Sequence, residues 1–144
     1  MRRGEKMIEL YVDGASAGNP GVSGIGFFLK GEGHHLLHSE PIEPTENHIA
    51  EFRALIRGLE EASSLTSGIV SVRTDSQIVV SAVEREFVKN KTYKPYLEQI
   101  LTLVKHFDLF FIKWIPTAEN RAADALAKEA IQQQLRAAKH KRED

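Results

Sequence analysis

Four acidic residues in this sequence stand where side chains that do chemistry are commonly mounted. Asp13 closes an alternating apolar run and Asp75 closes a β-branched one, while Glu51 and Asp124 each fall near the start of a stretch with helical period. Strand ends and helix starts are where a layered sheet gathers side chains over one edge. Four carboxylates meeting there would bring about four negative charges together, and their repulsion would raise their pKa values or call in cations. Oxygen-only donors suit hard Mg²⁺ or Mn²⁺ rather than zinc. Two such ions about 3.5–4 Å apart clamp the attacking and leaving oxygens of a phosphodiester. Taken singly, each acid is an ordinary surface carboxylate or helix cap, so this chemistry depends on their convergence.

Other catalytic patterns are missing. Gly14, Gly18 and Gly21 punctuate the loop DGASAGNPG and permit close approach to the backbone, but no GK[ST] follows to make a P-loop. There is no HExxH. The absence of cysteine excludes disulfides, thiolate zinc sites and a cysteine nucleophile. His34, His35 and His38 read as the surface of a hairpin.

Several elements must position the acids. Residues 7–13 (MIELYVD) alternate with Ile8, Leu10 and Val12 on one face, predicting a strand that runs into the glycine loop. Residues 21–29 and 34–42 are apolar stretches separated by Lys-Gly-Glu-Gly, a hairpin turn composition. Ile49, Phe52, Leu55, Ile56 and Leu59 recur at helical spacing, predicting a helix from Asn47 to about Ser63. Residues 69–74 (IVSVRT) read as a short buried strand, and Asp75-Ser76 supplies N-cap chemistry for a helix through Val83. A third helix enters near Pro95 and carries Leu97, Ile100, Leu101, Val104 and Phe107. Residues 109–115 (LFFIKWI) form a strand that Pro116 stops. Asn120 is then expected to cap a last helix with Ala123, Leu126, Ala127 and Ala130 inward. The order β-β-β-α-β-α-α-β-α, three consecutive strands and then α/β alternation, predicts a five-stranded mixed sheet flanked by helices, an α/β fold.

With 144 residues and 16.2 kDa, the expectation is a single domain spanning 1–144, with 1–6 and 136–144 as frayed tails. No apolar run reaches the 18 or so residues of a membrane span. With no cysteine and no signal-peptide pattern, a cytoplasmic protein is expected. The 19 Lys+Arg against 20 Asp+Glu look at first like evidence against nucleic acid. Setting aside the four candidate ligands leaves 19 against 16, a mildly basic remainder.

In order, DGASAGNPG (13–21), NHIAE (47–51), TDSQ (74–77) and ENRAADALA (119–127) resemble the four signature segments of type 1 ribonuclease H. The resemblance runs from about Met7 to Ala130 and extends to the element order, which is that of the ribonuclease H fold. It implies a metal-dependent endonuclease that hydrolyses the RNA strand of an RNA/DNA hybrid, leaving 5′-phosphate and 3′-hydroxyl ends. Asp13, Glu51, Asp75 and Asp124 match the family's metal-binding carboxylates for two Mg²⁺ or Mn²⁺ ions, with Asp13 and Asp75 nearest the ions. Asn19, Asn47 and Gln77 match positions that contact substrate in the minor groove, and the backbone around Gly14 and Ser16 would approach ribose. Uncharged donor and acceptor groups suit that task, since the 2′-hydroxyl distinguishes RNA from DNA. Nothing points to an obligate protein partner or a membrane, and a monomer is expected.

The sequence also departs from the family. Many members carry a histidine in a mobile loop before the last acidic motif, whereas WIPTAENRAAD has none, and Glu119 is either its substitute or a helix cap. Glu46 stands where threonine or asparagine is usual, putting a carboxylate beside a phosphate contact. A basic helical handle is reduced to REFVKNKTYKP (85–95). There, Arg85, Lys89, Lys91 and Lys94, with Phe87 and Tyr93 between them, make either a phosphate track for the DNA strand or a solvated connector. Only MRRGEK precedes the first strand, so no N-terminal hybrid-binding domain is expected. Two other readings remain: a catalytically silent hybrid-binding module, and a related nuclease acting on another nucleic acid.

Overall fold

Alternation along the first strand sets the architecture. The computed structural model describes residues 7–143, and in it Ile8, Leu10 and Val12 of β1 (Met7–Ser16) are fully buried on one side of a five-stranded sheet. The elements that follow are β2 (Gly21–Gly31), β3 (His34–Thr45), α1 (Asn47–Leu65), β4 (Ile69–Thr74), α2 (Gln77–Arg85), α3 (Lys94–Val104), β5 (Leu109–Trp114), a 3₁₀ turn (Thr117–Glu119) and α4 (Arg121–Glu143). This is the expected order. The strands lie β3-β2-β1-β4-β5, with the β3–β2 and β2–β1 pairs antiparallel and β4 parallel to both β1 and β5.

The hairpin at residues 30–33 is present, and Glu32 and Gly33 both take positive φ, as a tight turn between twisted strands requires. β1 runs three residues past Asp13, because Gly14, Ala15 and Ser16 stay paired with Ile25, Gly24 and Ser23. The glycine run is therefore more strand and less loop than its composition predicts.

α1 covers the face carrying Leu10 and Val12, with Ala54, Leu55 and Leu59 buried beneath it, and α4 covers the opposite face of β1, β2 and β3. The small side chains of Ala123, Ala127 and Ala130 let α4 settle against Gly24 and Gly26 of β2. A Cβ added at Gly26 would lie 2.6 Å from the Ala127 nitrogen. β5 is an edge strand and leaves Leu109 and Phe111 half exposed.

Two expectations need correcting. The segment 136–143 continues α4 as helix rather than fraying. Its residues, RAAKHKRE, are mostly good helix formers, and His140, Lys141 and Arg142 in the last turn complement the helix dipole. The tail 1–6 and residue 144 lie outside the described residues. Asn120, expected as a side-chain cap, turns its amide elsewhere: Nδ2 donates to the Val12 carbonyl at 2.9 Å. Its backbone carbonyl accepts from the Asp124 N–H to begin α4.

Candidate active site

Strand register brings the first two acids together. Val12 pairs with Thr74 across the parallel β1/β4 ladder, so the next residues, Asp13 and Asp75, stand side by side at the same level. Ser76, not Asp75, caps α2: its Oγ accepts from the Val79 N–H at 3.3 Å, which leaves the Asp75 carboxylate free of that duty. The Trp114 indole N–H donates to the Asp75 carbonyl at 3.1 Å and holds the strand exit in place.

Glu51 arrives from the other side of the sheet edge. α1 can approach β1 this closely because position 14 is glycine; a Cβ there would collide with the Ala50 carbonyl and sit 2.6 Å from the Glu51 nitrogen. Two side chains then orient the Glu51 carboxylate. Ser76 Oγ donates to Oε1 at 3.0 Å, and His48 Nδ1 lies 3.0 Å from the same oxygen. One carboxylate oxygen each from Asp13, Glu51 and Asp75 can be chosen so that all three lie within 4.8 Å of one another.

Asp124 stands in the first turn of α4, within hydrogen-bonding reach of Asp13, and its Oδ2 accepts from Lys128 Nζ at 3.0 Å. It lies beside the triad rather than inside it. Asp13 is 7% exposed, and burial, followed by the charge of Asp75, the hydrogen bond and charge of Asp124 and the charge of Glu51, pushes its carboxyl up to about 9. A cluster in which burial and mutual repulsion hold a proton this tightly is one whose negative potential a divalent cation would relieve. The donor set, all carboxylate oxygen, fits a hard divalent metal and not a soft one.

The expected substrate residues lie around this edge. Asn47 and Gln77 are the first residues of α1 and α2, and both side chains are exposed. Ser16 Oγ is 2.6 Å from both the Gly18 and Thr45 carbonyls, which ties the β1–β2 loop carrying exposed Asn19 to the end of β3. Lys89, Lys91 and Lys94 are exposed along the connector between α2 and α3, beside a groove of about 650 Å³ lined by Gln77, Arg85, Phe87 and Tyr93. Glu119 forms no side-chain hydrogen bond among the described residues, so it caps nothing here. Glu46 does cap: its Oε1 accepts from the Ile49 N–H at 3.0 Å.

Sequence reasoning missed three residues at the site. Ser76 lay in a quoted motif but was credited only with capping, His48 carried no role, and Lys128 was overlooked. The i,i+4 spacing of Asp124 and Lys128 and the i,i+3 spacing of His48 and Glu51 were available signals.

A family profile described as reverse transcriptase-like matches residues 11–130. A putative hydrolase, EbsB, of Enterococcus faecalis is 41% identical over 129 residues, which cover 88% of this chain and 95% of the relative. The ribonuclease H of Desulforamulus reducens is 34% identical, covering 89% of each chain. The bifunctional protein Rv2228c of Mycobacterium tuberculosis is 32% identical, and the chain spans 35% of its length. Among solved structures, the N-terminal RNase H domain of that protein, fused to maltose-binding protein, superposes with a TM-score of 0.85 at 30% identity, covering 93% of this chain and 99% of that one. LC11-RNase H1 in complex with an RNA/DNA hybrid gives 0.81 at 34% identity, covering 89% and 99%. Matches of this length, with the acids of all four segments drawn to one sheet edge, place the chain in the ribonuclease H family.

Proposed function

We propose that this chain cuts the RNA strand of RNA/DNA hybrids as a metal-dependent endonuclease, leaving 5′-phosphate and 3′-hydroxyl ends, with Asp13, Glu51, Asp75 and Asp124 as the groups that hold two Mg²⁺ or Mn²⁺ ions. The observation that carries the reading is the meeting of the Asp13, Glu51 and Asp75 carboxylates within 4.8 Å, with Asp124 against Asp13. When bound, the ions would supply positive charge to the attacking and leaving oxygens of the phosphodiester.

The chain's own residues do the rest. Asp13 within β1 and Asp75 just past the end of β4 fix the centre of the site, and Ser76 and His48 keep Glu51 turned towards it. Asn47 and Gln77 flank the acids with uncharged donors and acceptors suited to ribose and base edges, and Asn19, Ser16 and the Gly14 backbone extend that reading surface. Lys89, Lys91 and Lys94 offer phosphate contacts along the second strand of the duplex. No helix of the described residues is long and apolar enough to cross a membrane. A cytoplasmic monomer without an obligate protein partner completes the reading.

The test compares a labelled RNA/DNA hybrid with duplex RNA and duplex DNA in Mg²⁺ and in Mn²⁺. Cleavage confined to the RNA of the hybrid, lost on chelation and in Asp13→Asn, is expected. Undiminished cleavage by Asp13→Asn, or a preference for either homoduplex, would overturn the reading. Hybrid binding without turnover in either metal would make the chain a binding module.

A further inference from the structure

The connector between α2 and α3 is held to the site by one buried side chain. From Glu86 to Lys94 the residues are exposed, apart from half-buried Val88 and from Tyr93, which is 6% exposed. The Tyr93 ring packs against Phe52 of α1 at 5.3 Å and meets the edge of His48 at 6.2 Å. Its hydroxyl donates to the Glu46 carboxylate, 2.9 Å from Oε2 and 3.2 Å from Oε1. The same carboxylate caps α1 through the Ile49 N–H. Glu46 therefore has one side chain doing two jobs, and both fix the start of α1, where Asn47 and Glu51 stand.

We propose that Tyr93 is a positioning residue for nucleic-acid binding: its hydrogen bond to Glu46 is a strut that sets the lysine connector at a fixed distance from the substrate-facing start of α1. This rests on the reading above, in which Lys89, Lys91 and Lys94 follow the phosphates of one strand while Asn47 reads the groove. A duplex is rigid, so two contact sets on it must be held in register; a loose connector would have to be ordered on binding, and the cost would appear in affinity. Burial and the Glu46 charge push the Tyr93 phenol up, which keeps the hydroxyl a donor throughout the working pH range. The glutamate, unusual at this position for the family, is long enough to cap α1 and reach Tyr93 at once.

The experiment is a double-mutant cycle on the full chain, read as KM and kcat on a labelled hybrid. Tyr93→Phe keeps the ring packing and removes the strut. Glu46→Thr keeps a capping group but cannot reach Tyr93. Each, and the double variant, should raise KM by about 3- to 10-fold with kcat within about twofold, because all three lose the same bond. Glu46→Gln retains both an acceptor for Tyr93 and a cap, and should stay within about twofold of the wild-type KM. An unchanged KM in Tyr93→Phe, or effects of the two single changes that multiply in the double variant, would overturn the strut. The same cycle built on Asp13→Asn and read as the dissociation constant for hybrid separates the two proposals. A coupled loss of affinity there, with no turnover by the otherwise unchanged chain, keeps the strut and removes the enzymatic reading.

Discussion

Asn120 donates its side-chain amide to the carbonyl of Val12 across 2.9 Å, joining the residue before α4 to the residue before Asp13. Both groups are buried, and the bond sets the start of the helix carrying Asp124 against the part of β1 carrying Asp13. Asn120→Ala leaves the Val12 carbonyl without its partner, at a cost of about 1–3 kcal/mol. Calorimetry should show a fall in Tm of several degrees, and a Mn²⁺ titration should show weakened binding as Asp124 loses its fixed place beside Asp13.

The Asp13 carboxyl makes stability depend on pH in an unusual direction. Unfolded, it ionises near 3.8; folded and metal-free, burial and the neighbouring acids hold its proton up to about 9. Between those values the folded chain binds the extra proton, so stability declines as pH rises through this window, and the decline ends above the folded value. Asp13→Asn removes that dependence. Its metal-free Tm should exceed that of the wild type by a margin that grows from pH 5 to pH 9 and reaches at least about 3 °C. Thermal melts in chelator across that range measure it, and Mn²⁺ should restore the wild type with release of protons.

Gly14 is where α1 and β1 come closest. Gly14→Ala drives a methyl group into the backbone at Ala50 and Glu51, and the helix must retreat. Overpacking of this kind costs about 1–3 kcal/mol. Because Glu51 moves with the helix, kcat should fall by at least about tenfold in protein that remains folded at the assay temperature. Circular dichroism alongside turnover checks both.

Lys89, Lys91 and Lys94 carry no partner charge within salt-bridge distance among the described residues. Replacing all three with alanine should raise KM on hybrid while leaving kcat nearly unchanged. If each neutralises one phosphate, the slope of log affinity against log salt should become shallower by about 2–3. Binding measured from low to physiological salt decides this; an unchanged slope would mark the segment as a solvated connector.

Much of this protein could be read along the chain. Ile8, Leu10 and Val12 at period two and Phe52, Leu55 and Leu59 at helical period fixed both elements and their inward faces, because burial selects one face of each. The same periods singled out the four acids as candidates, but Asp13 was expected to end its strand and instead lies within β1, whose pairing runs on to Ser16. Asn120 was read as a cap because its local sequence is that of a helix start; its true partner, Val12, lies 108 residues away and is set only by how α4 docks on the sheet.

Tertiary structure alone decided the geometry of the site. The β1/β4 register makes neighbours of Asp13 and Asp75, and bare Cα atoms at Gly14, Gly24 and Gly26 let α1 and α4 bring Glu51 and Asp124 in. Propensity and period act over a few residues. The joining of Glu46 to Tyr93, of His48 and Ser76 to Glu51, and the partial separation of Asp124 from the other three acids depend on packing between elements far apart in sequence. Residue types and their spacing carried the chemistry, and the close approach of backbones determined which of those residues meet.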